Sequence, residues 1–281
     1  MHKKQMNKPF EELTLKDDFI FGIVMRKPEY CKPCLERILG IRIRQIRFPE
    51  GQKVLDVSAD AKSVRLDIYV EDDADTVYNV EMQNVKQEFL PKRSRYYQDI
   101  IDISLLDKGE HYSKLKKSII IFLCTFDYYG EGRHIYTFEN RCRENLKLSF
   151  GDETIKIILN TKGTQKDASR ELLDFLTYIE SGTPTDDYTQ ELENEINRVR
   201  GNEERRLDYM TLYLKQQEIY MDGREEGMIE GRAEGKAEGI AALIEISQEW
   251  RKTLEETRKV IMEKFSLNAA EAEGYMKKYW K

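Results

Sequence analysis

The sequence predicts a mixed α/β fold followed by an all-helical C-terminal region. Three observations carry this expectation. Two strand-like runs, VRLDIYV (64–70) and TVYNVEMQN (76–84), flank the acidic stretch EDDAD in the pattern of a hairpin. SIIIFLCTF (118–126) is the most apolar run in the chain, mostly β-branched and aromatic between polar clusters, as a buried central strand requires. From Ser169 onward every convincing hydrophobic period is that of a helix.

The elements follow in order. LTLKDDFIFGIVM (13–25) predicts a helix with Phe19, Ile23 and Val24 on one face and Thr14 available as a cap. A second helix covers Cys31 to Leu39 and stops at Gly40, the usual glycine position after a helix end. RQIRFPE and KVLDVSA read as weaker strands ahead of the hairpin. After it, Arg93 to Leu106 is amphipathic and helical, and HIYTFE and IKIIL continue the strand pattern to about Thr161. The domain expectation is therefore an α/β domain over 1–165 and a helical region over 166–281.

One helical segment is unusual. GREEGMIEGRAEGKAEG carries glycine at 223, 227, 231, 235 and 239, each costing ~1 kcal/mol relative to alanine inside a helix. A spacing of four leaves a slowly drifting bare stripe along which another backbone could approach. Two readings follow: association of this helix with that of another protomer, or a flexible, partly helical charged connector.

Composition excludes several classes. Of 281 residues 40% are apolar, and with 11 Phe and 16 Tyr the chain can bury a real core, which argues against wholesale disorder. No stretch approaches the ~18 apolar residues of a membrane span, and the start lacks a signal peptide's apolar centre, so a soluble, cytoplasmic protein is expected. The formal charge is −6, which is not that of a general nucleic-acid coat. The positive charges are uneven, however: Lys86, Lys92, Arg93 and Arg95 face Glu88 alone in their stretch. Cys31-Lys32-Pro33-Cys34 has the spacing of redox and zinc sites, but no second close pair of ligands exists, so structural cysteines are expected.

The chemistry concentrates in the hairpin. Side chains alternate along a strand, so Asp67 shares a face with Tyr69, while Leu66, Ile68 and Val70 point the other way. On the second strand Val77, Asn79, Glu81 and Gln83 share one face and Tyr78, Val80 and Met82 the other. If the turn centres on Ala74, Asp67 lies across from Glu81, with Cβ atoms ~5 Å apart. Two like charges so placed repel by ~1 to 4 kcal/mol. Protonation, a cationic partner or a divalent ion must relieve this, and oxygen-only ligands favour Mg²⁺ or Mn²⁺. The bland alternative is a hairpin face whose acids are simply solvated.

Asp67 followed by Glu81-Met82-Gln83 resembles the PD-(D/E)xK nuclease core, in which an aspartate on one strand and an acidic-x-Lys on the next hold the metal. The wording is closer still to the Rpn family of recombination-promoting nucleases and putative transposases. KDDFIF, VRLDIYV, YNVEMQ, KRSRYYQDIID, the KG-x-x-Y of LDKGEHY, IIIFLCTFD, ILNTKG and the glycine–glutamate repeat carry that resemblance across nearly the whole chain. It implies a restriction-endonuclease-like α/β core with a helical C-terminal region. By position it implies metal binding by Asp67, Glu81 and the carbonyl of Met82, and a supporting acid at Asp18, three residues before Phe21. Gln83 stands where the broader superfamily has lysine. An amide can orient a water, but it carries no charge and cannot act as a base, which leaves Lys86 or Lys92 to supply the cation.

The following helix fits nucleic acid: Lys92, Arg93 and Arg95 can neutralise phosphates, and Tyr96 or Tyr97 can touch the backbone or stack on a base. The expected function is thus a Mg²⁺- or Mn²⁺-dependent DNA endonuclease, associated through the resemblance with recombination and transposition. The alternative is a catalytically inactive nuclease fold that binds DNA or a partner and oligomerises through its C-terminal helices. A retaining glycosidase would use a similar pair of acids, but both tryptophans, Trp250 and Trp280, lie in the far helical tail.

Overall fold

A six-stranded mixed sheet lies between two helical layers. The computed structural model describes residues 8–49, 54–55 and 64–280, with only the backbone of 54, 55, 64 and 65. The elements are α1 (Asp18–Val24), α2 (Pro28–Leu39), β1 (Ile46–Arg47), β2 (Val54–Leu55), β3 (Val64–Arg65), β4 (Ile68–Asp72), β5 (Val77–Gln83), α3 (Leu90–Leu105), β6 (Ser118–Cys124), β7 (Ile135–Glu139), β8 (Thr154–Asn160), α4 (Arg170–Ser181), α5 (Asp187–Arg200), α6 (Glu203–Glu249), α7 (Leu254–Phe265) and α8 (Ala269–Tyr279). Apart from Val54–Leu55, the strand expected over KVLDVSA lies outside the described residues.

The sheet order is β1-β4-β5-β6-β8-β7, while β2 and β3 form a separate antiparallel pair. β5, β6 and β8 run parallel. β6 is interior and buried at all seven positions, as its apolar run predicts. One face of the sheet, with Ile68, Val70, Tyr78, Val80, Met82, Ile121 and Leu159, packs in a single core with residues of α1, α2, α4 and α5. The other face, with Val77, Ile120, Phe122 and Ile158, packs against Leu90, Tyr97, Ile100 and Ile101 of α3. By chain contacts the molecule divides into two compact units, Met1–Tyr209 and Met210–Lys281. In the second, Ile240, Ile244, Ile261, Leu267, Ala272 and Met276 form a small core of their own.

The hairpin register follows the centre of symmetry at Ala74: Ile68 pairs with Val80, Tyr69 with Asn79, Val70 with Tyr78 and Glu71 with Val77. Its turn is built by Asp72, whose Oδ1 accepts from the backbone N–H of Ala74 (2.9 Å) and Thr76 (2.8 Å). Asp75 takes the left-handed conformation there (φ 58°). β4 extends two residues further into the acidic stretch than the turn-like composition suggests.

Two local expectations are corrected. Leu66 does not share a face with Ile68 and Val70; it packs with Val77 and Leu90 on the α3 side. The cause is a bend at Asp67, which interrupts the pleat between β3 and β4, so the two-residue period fails across it. In α1 the fully buried residues are Ile20, Phe21 and Val24, with Phe19 and Ile23 only partly covered. Thr14 does not cap this helix. Its N–H and hydroxyl instead donate to Asp17 Oδ2, at 2.6 and 3.1 Å. α2 begins three residues before Cys31 because Pro28 fits its first turn, and it ends at Gly40 with φ 66°. Cys31 and Cys34 are buried in its core-facing side, and burial pushes the Cys34 thiol up to about 12, far from a reactive thiolate.

Candidate active site

The site forms at the C-terminal end of β5, where the antiparallel ladder to β4 stops. Its last pair is Ile68–Val80, one short of Asp67–Glu81. Carboxylates take over where the ladder ends. The Asp67 N–H donates to Glu81 Oε1 (3.2 Å), and the Met82 N–H donates to Asp67 Oδ2 (3.2 Å). The bend at Asp67 thus locks the two acids together through each other's strand. Glu81 is 1% exposed, which rules out a solvated hairpin face.

α3 crosses above them. Its residue Arg93 donates from Nη2 to Glu81 Oε2 (3.0 Å) and from Nη1 to Gln83 Oε1 (3.2 Å). Nη1 also reaches Gln87 Oε1 (3.3 Å), and Nε reaches the Tyr97 hydroxyl (2.6 Å). The guanidinium fork suits two acceptors held side by side. Gln83 Nε2 in turn donates to the Met82 carbonyl (2.8 Å). The cation beside Gln83 is therefore Arg93. The Lys86 ammonium lies over the Tyr128 ring (5.7 Å) and that of Lys92 over Phe89 (5.3 Å).

The electrostatics are strained. Burial first, and then the charge of Asp67, hold the Glu81 carboxyl above the ordinary carboxylate range, with Arg93 acting in the opposite sense. Asp18, the first residue of α1, retains a solvent-facing side, yet desolvation by the surrounding chain, then Asp67 and then Asp17 raise its carboxyl to about 6. Its coupling to Asp67 and Arg93 groups Asp18 with the site. Asp17 is instead occupied with Thr14 and with Lys8 (2.6 Å).

The structure thus gathers Asp67, Glu81, Met82, Gln83 and Arg93, with Asp18 electrostatically linked. It does not bring Lys92 or Arg95 to the acids; both are exposed along α3. Tyr96 is half-buried at the edge of the α3 core, and Tyr97 is buried, stacked on Phe122 at 6.3 Å. Asn79, which alternation places on the same face of β5 as Glu81, is fully buried. One participant went unnoticed in the sequence. Gln87 lies in the connection to α3 and carries no periodic signal.

Asp67, Glu81 and the Met82 carbonyl offer only oxygen donors, the kind that suits a hard divalent ion. The cage is not ready-made: among the described residues no three His, Cys, Asp or Glu side chains are gathered to hold a metal. Glu81 has both oxygens engaged, one by a backbone N–H and one by Arg93.

A mixed sheet sandwiched by helices, with acids on adjacent strands and an acidic-x-Gln at the end of the second, defines a PD-(D/E)XK nuclease domain. The chain belongs to the PD-(D/E)XK nuclease family transposases, whose family model matches residues 34–225. Neither the curated proteins nor the solved structures gave a match. Membership supports a nuclease- or transposase-like function with DNA as substrate, in a superfamily that generally uses divalent metals. No helix among the described residues is long and apolar enough to cross a membrane.

Proposed function

We propose that this protein is a metal-dependent DNA endonuclease, hydrolysing phosphodiester bonds in the context of recombination or transposition. The observation that supports it best is the buried Glu81, fastened to Asp67 and set beside Gln83 under a single guanidinium. Holding Glu81 buried beside Asp67 costs stability, and desolvation together with the Asp67 charge raises the carboxyls of both Glu81 and Asp18, as at sites tuned for chemistry.

Asp67, Glu81 and the Met82 carbonyl would hold Mg²⁺ or Mn²⁺, with Asp18 supporting a second ion or its water. The ion, when bound, lowers the pKa of its water and offsets charge gathering on the phosphate. Gln83 orients that water without taking its proton, because a neutral amide has no basic site. Arg93 meets the phosphate, and Lys92, Arg95 and Tyr96 on the exposed side of α3 hold the flanking DNA backbone. Base-reading side chains do not stand out, so weak sequence preference is expected. The protein works in the cytoplasm and associates with a second copy through its C-terminal helices.

Supercoiled DNA incubated with purified protein and Mg²⁺, Mn²⁺, Ca²⁺ or EDTA tests this. Nicking should require Mg²⁺ or Mn²⁺. Asp67→Ala should lose more than the roughly 10–100-fold that removal of a supporting contact to a metal ligand costs. DNA binding without any nicking, unchanged by Asp67→Ala, would favour instead an inactive nuclease fold that acts by binding.

A further inference from the structure

Arg93 stands in an unusual position for a DNA contact. Its guanidinium is bonded to the buried acid Glu81, a proposed metal ligand, and to Gln83, which would orient the water. Yet its side chain remains 29% exposed, while that of Glu81 is 1% exposed. It therefore connects the buried Glu81 to the solvent from which both ion and DNA arrive. Two further contacts fasten the same group independently of the acids: the Tyr97 hydroxyl at Nε and Gln87 at Nη1.

Glu81 Oε2 cannot serve a divalent ion fully while it accepts from Nη2, and Oε1 already accepts from the Asp67 N–H. An arriving cation and Arg93 compete for one oxygen. We propose that Arg93 is an exchangeable counter-ion. It occupies Glu81 in the metal-free protein, yields that carboxylate to the divalent ion, and, still tethered by Tyr97 and Gln87, offers its fork to the DNA phosphate. This rests on the metal-dependent reading above and adds to it a coupling: ion binding prepares the cation that the phosphate meets. The exchange keeps Glu81 paired at every stage, which matters because a buried carboxylate without a partner is strongly destabilising. It also explains why an arginine is used, since one planar group can hold a tether and a carboxylate or phosphate at once.

The test uses the full-length protein and Mn²⁺ alone as the first probe, titrated calorimetrically in the absence of DNA. Arg93→Gln removes the competitor and leaves the site more negative, so Mn²⁺ should bind about tenfold more tightly or better, the effect of losing one opposing charge-assisted bond. Nicking of supercoiled DNA by the same variant should fall by about tenfold or more. Arg93→Lys keeps the charge but loses the fork, and should bind Mn²⁺ with intermediate affinity while nicking poorly. In the wild type, the Arg93 Nε–H resonance should move on addition of Mg²⁺, a readout that depends on no variant folding. Mn²⁺ binding that is equal or weaker in Arg93→Gln, or an Arg93 resonance unmoved by saturating Mg²⁺, overturns the exchange while leaving the nuclease reading standing. No Mn²⁺ binding by either wild type or Arg93→Gln overturns both.

Discussion

Asp18 opens α1 with a carboxyl that the surrounding chain and Asp67 raise from 3.8 to about 6. The folded protein holds a proton there that the unfolded chain releases near pH 3.8, so between about pH 4 and pH 6 the native state binds more protons. Stability then falls as pH rises through this window, the reverse of an acid held by a salt bridge, and the penalty is complete above the folded value. Denaturant titrations in EDTA at pH 4, 5, 6 and 7 should show this decline in the wild type and a shallower one in Asp18→Asn. Mn²⁺ should flatten the wild-type curve at the upper end by stabilising the ionised acids. Parallel curves for wild type and variant would remove Asp18 from the acid cluster. The pairing logic at this scale was legible in the sequence: a turn centred on Ala74 puts Asp67 beside Glu81, where side chains bond across although the ladder itself stops one pair earlier. Arg93 was read as a phosphate contact, but its bond to Glu81 could not be, because that reach depends on how α3 rotates over the sheet, and the rotation is fixed by Leu90, Tyr97 and Ile101 in the core rather than by spacing.

Among the elements, α6 departs most from intrinsic preference. It runs unbroken from Glu203 to Glu249 through five glycines, so the segment is helical rather than a partly formed connector. One glycine has a packing reason: a Cβ at Gly239 would stand 3.2 Å from the Phe265 ring. At Gly223, Gly227, Gly231 and Gly235 a Cβ would meet nothing. On another face of the helix Leu207, Leu214, Met221 and Met228 recur every seven residues, all exposed. A solvated helix with neither packing nor good propensity is hard to sustain alone. Alanine at Gly227, Gly231 and Gly235 together raises intrinsic helix stability by up to ~1 kcal/mol per site, while a partner backbone lying on the stripe would be overpacked by ~1–3 kcal/mol. With association through this helix, light scattering should show the triple variant at lower mass than the wild type. A more helical variant of unchanged mass would overturn the association. Gly239→Ala is the control, since it crowds Phe265 within one chain whatever the assembly does. The hydrophobic period made these helices legible in outline, but the face of α1 was misjudged because a short helix buried on several sides shows no single stripe.

At the scale of the molecule, the unit Met1–Tyr209 holds the sheet, both of the cores flanking it and every residue of the candidate site. Among the described residues both of its cores are built from side chains up to Tyr209, so a protein ending at residue 215 should fold cooperatively and keep metal-dependent nicking, losing only what assembly contributes. The end of this unit is fastened to its beginning. The Tyr209 ring packs against Phe10 (5.7 Å) and Phe19 (5.2 Å), its hydroxyl donates to the Lys8 carbonyl (3.0 Å), and Arg200 Nε donates to the Leu13 carbonyl (2.7 Å). These contacts hold the segment that leads into α1 and so, through Asp18, the edge of the site. Tyr209→Ala in the shortened chain removes a half-buried aromatic and one hydrogen bond, a loss of roughly 1–3 kcal/mol. For a domain of this size that lowers the melting temperature by about 2–4 °C per kcal/mol. If the closure reaches the site, nicking should weaken further than the loss of folded protein explains, because Asp18 loses its fixed approach to Asp67. A shortened chain that melts well below the full-length protein would show instead that the sheet unit depends on the helices after Tyr209. A Tyr209→Ala melt indistinguishable from its parent would show that the aromatic closure carries no weight.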